Sequence, residues 1–174
     1  MKKVTIILMS LTSVFLLDGC ASLPKSSDMV PQTINVTHRS SKPVRIVVEG
    51  QLMLEDKAQV PNQTFAEALQ MSIAKAQIFT KVDKDISDGF LLEVFIVGYE
   101  PPKGGFNMAA TLITRWKLTR LPSQEVVFED FVKKTHTNTV GDAFVGATRW
   151  RMANEGVVKD TIAEGIMNLS KLDL

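Results

Sequence analysis

FLLEVFIVGYEPPKGGFNMAATLITRWKLTRLPSQEVVFEDFVKKT, residues 90–135, decides the fold of this chain. Phe90, Leu92, Val94 and Ile96 alternate with Leu91, Phe95 and Val97, with Glu93 the lone charge, which is the pattern of a central strand running to Tyr99. Pro101-Pro102 and Gly104-Gly105 stop that strand and supply turn conformations. From Met108 to Arg120, Ala110, Leu112, Thr114, Trp116 and Leu118 alternate with Thr111, Ile113, Arg115, Lys117 and Thr119, so this strand has one wet face. After Leu121-Pro122-Ser123, residues Glu125 to Thr135 set Val126, Phe128, Asp130 and Val132 against Val127, Glu129, Phe131 and Lys133. The three strands complete an antiparallel meander, which needs a second layer over its apolar face.

The flanking residues supply that layer. Upstream, Val44, Ile46 and Val48 alternate before Gly50 as a first strand, and Leu52 and Leu54 leave open whether the pairing continues past the glycine. Thr64-Phe65-Ala66-Glu67 matches a capping box. Phe65, Leu69, Ile73 and Ala76 follow at helical spacing, which predicts an amphipathic helix from Thr64 to about Phe79. Downstream, Thr148 to about Leu169 reads as a long helix, with Trp150, Ala153, Val157, Ile162, Ile166 and Leu169 on one side and Arg151, Glu155, Lys159, Asp160 and Glu164 on the other. The order β-α-β-β-β-α predicts an α+β two-layer sandwich. Its sheet is mostly antiparallel, of about four strands, with two helices on one face, and residues 44–174 form a single domain.

Lys2 and Lys3 followed by the apolar stretch Val4 to Leu17 have the layout of an export signal. The stretch falls short of the ~20 apolar residues a membrane-spanning helix needs. Leu17-Asp18-Gly19-Cys20-Ala21 resembles the lipobox of bacterial lipoproteins, with Asp18 standing where that family usually carries a small or aliphatic residue. The resemblance implies a signal peptide over 1–19, a diacylglycerol and an N-acyl chain on Cys20, and no other cofactor. With Ala21 rather than Asp after the cysteine, it also implies the periplasmic face of the outer membrane. Several acyl chains bury enough methylenes, at ~0.8 kcal/mol each, to make such an anchor effectively permanent. Cys20 is the one cysteine in 174 residues, so no intramolecular disulfide can form.

From Ala21 to Pro43 the chain is rich in Ser, Thr, Pro and charge, and residues 20–43 read as a lipidated cysteine with a flexible tether reaching ~25 Å. Ile34 and Val36 leave room for a short added strand over Thr33 to Thr37. Removing residues 1–19 takes away Lys2, Lys3 and Asp18 and leaves basic and acidic residues equal in number. A neutral chain whose largest basic clusters are the pairs Lys133/Lys134 and Arg149/Arg151 argues against a nucleic-acid partner.

Histidines stand only at 38 and 136, far apart and without a metal-ligand spacing, so no metal site is expected. There is no GxSxG element, and Gly104-Gly105 lacks the lysine of a phosphate loop. An envelope enzyme acting on lipid or glycan by acyl transfer or hydrolysis would have to pair His136 with Asp130 or Asp142.

The one local candidate for a contact surface is Thr139 to Gly156, from which Phe144, Arg149, Trp150, Arg151 and Glu155 are the candidate partner-binding residues. The bland alternative has Phe144 and Trp150 closing the end of the core while Arg149 or Arg151 pairs with Glu155. Asp142, Ala143, Phe144, Gly146, Arg149, Arg151, Ala153, Glu155 and Gly156, with the tail Leu169 to Leu174, resemble small uncharacterised proteobacterial outer-membrane lipoproteins carrying a DAFxGxxRxRxAxEG-type segment. That resemblance implies no established activity. The expectation is a non-enzymatic binding or adaptor module of the cell envelope, held to the membrane by its lipid anchor and meeting an envelope protein or lipid partner.

Overall fold

The computed structural model describes residues 23–50 and 60–174. Its elements are β1 (Val44–Gly50), α1 (Asn62–Ala76), β2 (Gly89–Glu100), β3 (Met108–Leu121), β4 (Glu125–Asn138) and α2 (Gly146–Leu169), preceded by a short 3-10 turn at Ser26–Met29. The four strands form one open sheet in the order β1-β2-β3-β4, with the last three antiparallel as the alternation requires. β1 pairs parallel to β2, because α1 crosses over between them, and the α+β sandwich is therefore built on a mixed sheet.

Ala110, Leu112, Trp116 and Leu118 of β3 lie fully buried beside Phe90, Leu92, Val94 and Ile96 of β2, and Phe65, Leu69 and Ile73 of α1 and Ala153, Val157, Ile162 and Ile166 of α2 join the same core. Two devices seat α2 closely on the sheet. A methyl group built on Gly165 would overlap the Trp116 indole, and one on Gly156 would overlap the His136 ring. Each glycine thus lets a ring lie on the helix backbone. Trp116 keeps its buried Nε1–H satisfied by donating to Thr114 Oγ1 at 2.8 Å.

Among the described residues the other sheet face carries no helix. Phe95 and Val97 of β2 are exposed there, where sequence alternation had given β2 the two apolar faces of a central strand. Phe95, Arg115 and Phe131 stand in one cross-strand row, with the Arg115 guanidinium 5.8 Å from the Phe95 ring centre. A bulge between Ile96 and Gly98 shifts the phase of β2, so that Tyr99 turns to the core side and bonds Asn154 of α2.

Several expectations need correcting. α1 begins at Asn62, with Pro61 at the cap and no side-chain capping bond, so Thr64 and Glu67 form no capping box. Phe65 N–H already donates to Pro61 O at 3.0 Å, and the Glu67 carboxylate accepts from the Gln63 amide at 3.1 Å. The helix stops at Ala76, where Gln77 takes a left-handed conformation and sends Ile78 and Phe79 into the core.

Residues 23–43, expected as a flexible tether, instead run along the domain. Met29 is fully buried, Ser40 N–H donates to Ile78 O at 2.8 Å, and Lys75 Nζ reaches Pro31 O at 3.0 Å. His38 N–H donates to Ser170 O at 2.9 Å, and residues 33–37 add no strand. Composition missed this because a few buried side chains, Pro24, Met29 and Pro31, and hydrogen bonds to the domain hold the segment, not a core of its own. Leu52, Leu54, the signal segment and Cys20 lie outside the described residues.

Candidate functional site

The β2–β3 and β4–α2 loops leave the sheet at the same end, because Met108 at the start of β3 pairs with Asn138 at the end of β4. Arg149, in the first turn of α2, joins them. Only 7% exposed, it donates from Nη1 to Ala143 O at 2.8 Å and to Phe144 O at 2.7 Å, and from Nη2 to Gly105 O at 3.2 Å. One buried guanidinium therefore holds three loop carbonyls, with charge-assisted bonds stronger than neutral ones. The residues beside those carbonyls point out: Phe144 is 89% exposed and Phe106 82%, with Val145 and Val140 also in water. Asp142 braces the second loop by accepting from Thr139 N–H at 2.7 Å and Thr139 Oγ1 at 3.0 Å, and these bonds lower its pKa.

The remaining candidates divide differently. Trp150 is half-buried and packs against the core. Arg151 pairs with Glu155 at 3.2 Å and approaches Asp28 at 3.7 Å. Glu155, expected on the wet side of α2, is buried beneath residues 25–29 and accepts Lys25 N–H at 3.2 Å. Burial raises its pKa, against the opposing pull of Lys25 N–H and Arg151. The structure thus brings Phe144 and Arg149 together at the tip, and Arg151 and Glu155 together under the N-terminal segment. Of the bland alternative, the Arg151–Glu155 pair is present, whereas Phe144 closes no core. Phe106 was missed, although a phenylalanine between Gly105 and Asn107 in a turn is itself a signal, since nothing in such a turn can cover it.

His136 lies in β4, opposite Ala110. Its Nδ1 lies 2.7 Å from Asp160 Oδ2, and its ring lines a groove of about 530 Å³ together with Asp28, Lys75, Asn138, Glu155 and Lys159. Asp130 instead accepts its neighbour's Phe131 N–H, and Asp142 is held by Thr139, so the acid partner of His136 is neither of the two that the sequence offered. Among the described residues no cluster of three His, Cys, Asp or Glu could hold a metal ion, and no helix is long and apolar enough to cross a membrane.

No family model matches the chain, and no curated protein matches its sequence. Solved structures do share its fold. A Xanthomonas campestris protein of the DUF330 family is similar over 76% of this chain and 90% of its own, with a TM-score of 0.54 and 14% identity. PelC of Paraburkholderia phytofirmans, solved as a dodecamer, is similar over 79% of this chain and 92% of its own, with a TM-score of 0.51 and 11% identity. A hypothetical Chlamydia trachomatis protein is similar over 72% and 95%, with a TM-score of 0.50 and 6% identity. At such identities the likeness establishes the arrangement of strands and helices.

Proposed function

We propose that this protein is a lipid-anchored envelope module that works by binding rather than by catalysis, its acyl chains on Cys20 and its contact surface at the loop end carrying Phe106 and Phe144. The observation that carries the reading is the use of Arg149. A buried arginine bonded to backbone carbonyls, at an end where two phenylalanines are left in water, stabilises a presented surface more than a core. The lipobox-like Leu17 to Cys20 supports the anchor, and Ala21 supports the outer membrane as its place.

The enzyme alternative draws on one specific feature, the His136–Asp160 pair beside a groove. A general base so oriented needs a nucleophile or a substrate within hydrogen-bond reach, and the one serine in the lining, Ser27, has its hydroxyl turned to Asp28 at 3.4 Å. Two measurements separate the readings. In cells, a photo-crosslinking residue placed at 106 or 144 should give adducts that one placed at exposed Glu129 does not. His136→Ala should complement the envelope defect of a deletion strain. Loss of complementation by a folded His136→Ala chain, with no adducts from 106 or 144, would replace the binding reading with the enzymatic one.

A further inference from the structure

We propose that the tips bearing Phe106 and Phe144, clamped by Arg149, enter the interfacial layer of the same bilayer that holds the acyl chains on Cys20. The inference rests on the lipid-anchor reading and goes beyond it, because it fixes how the domain stands on the membrane.

Covalent reach allows the tip and the lipid to meet. Lys25 N–H is bonded to Glu155 Oε1, and the five residues from Lys25 back to Cys20 span at most ~17 Å. From Gly146 to Glu155, α2 rises only ~14 Å, so the Val145–Phe144 tip lies about as far from Lys25 as the lipidated cysteine can. The chain also runs the right way. Residues 25 to 38 pass from Glu155 towards Ser170, so the start of this segment at Lys25 lies beside the first half of α2 and its far end beside the C-terminus of that helix. Leu23, three residues from Cys20 in sequence, is 66% exposed.

Size favours lipid over a protein partner. Two phenylalanines offer about 150–250 Å² each, whereas a stable protein interface buries roughly 800 Å² on each side. Two protruding rings and Val145 fall short of a protein patch but suffice for a wedge at the acyl boundary, where aromatic side chains partition well. The clamp matters because an aromatic on a loose loop loses conformational freedom on insertion. Here Arg149 has already ordered both loops from below.

The test uses the full, lipidated chain reconstituted in phosphatidylethanolamine–phosphatidylglycerol vesicles whose acyl chains carry bromine, a short-range quencher of tryptophan. Phe144→Trp and Phe106→Trp should each add emission that the brominated lipid largely removes. Phe131→Trp, on the open sheet face, should keep its added emission. Arg149→Met in the Phe144→Trp background should weaken the quenching. Acyl attachment is read on the same samples by mass spectrometry of the N-terminal peptide. A lipidated chain in which Phe144→Trp and Phe106→Trp are quenched no more than Phe131→Trp overturns this inference alone; a chain without lipid on Cys20 overturns the anchoring reading and this inference with it.

Discussion

Gly165→Ala adds one methyl group near the C-terminal end of α2, and two effects of opposite sign compete. Alanine is a better helix former than glycine by about 1 kcal/mol, which favours the substituted chain. The new carbon would fall against Cζ2, Cη2 and Cε2 of Trp116, well inside the ~3.5 Å at which carbon atoms make favourable contact. The indole has no room to retreat: it is fully buried, and its Nε1 is bonded to Thr114 Oγ1. Overpacking of a tight core costs about 1–3 kcal/mol, and an overlap with a fixed ring belongs at the upper end. The net expectation is destabilisation by about 2 kcal/mol, or a fall of ~4–8 °C in thermal midpoint for a domain of this size. Circular dichroism melts and urea unfolding of the full chain read it directly. Gly104→Ala is the control: no atom lies within 4 Å of the added methyl, and the melt should not move. Combining Gly165→Ala with Trp116→Phe should cost less than the sum of the two single changes, because the smaller ring vacates the overlapped space. A Gly165→Ala chain as stable as the parent, or more so, refutes the account of how α2 is seated and with it the placement of Arg149 over the loops.

Further expectations concern the N-terminal segment, the buried acid and the clamp. Met29→Ala should lower stability by about 2–3 kcal/mol, as removal of a buried side chain does; a flexible tether would give no change in the urea midpoint. Glu155 has a folded-state pKa raised above its ordinary 4.5 by burial. The native chain therefore holds this proton more tightly than the unfolded one, and stability from this group falls as pH rises from 4.5 through the folded pKa. Glu155→Gln, which still accepts from Lys25 N–H, should flatten that decline in urea midpoints taken between pH 4.5 and 7; an unchanged slope would count against it. Arg149→Met should speed amide exchange at residues 104–107 and 142–146 at least tenfold while α1 stays protected, since each freed carbonyl is worth on the order of 1–3 kcal/mol when buried. Uniform exchange across the domain would show instead that the guanidinium supports the whole fold.

The strands were legible because alternation is a local property. Ala110, Leu112, Thr114, Trp116 and Leu118 name one face of β3 without reference to any other element, and all five are buried. α2 was legible for the same reason, through Ala153, Val157, Ile162 and Ile166. Long-range contacts were not. Glu155 looks like a solvated charge until residues 25–29 are laid over it, and nothing in the composition of 21–43 announces that Met29 and a few backbone hydrogen bonds hold it down. The partner of His136 was misread because Asp130 and Asp142 are nearer in sequence, whereas Asp160 comes to it across the α2–β4 packing.

The candidate site divides along the same line. Phe144 on a polar loop was visible, as were the arginines beyond it. That Arg149 faces inward and ties Phe144 to a second loop bearing Phe106 depends on two turns, separated by some forty residues, leaving one end of the sheet together. By itself the sequence determined the period of each element, the lipobox-like cysteine and the balance of charge, since these follow from neighbours along the chain. Only the tertiary structure decided which charges are buried, which helix face is covered and where the exposed aromatics gather, because burial and hydrogen bonding are set by groups that meet only after the chain has folded.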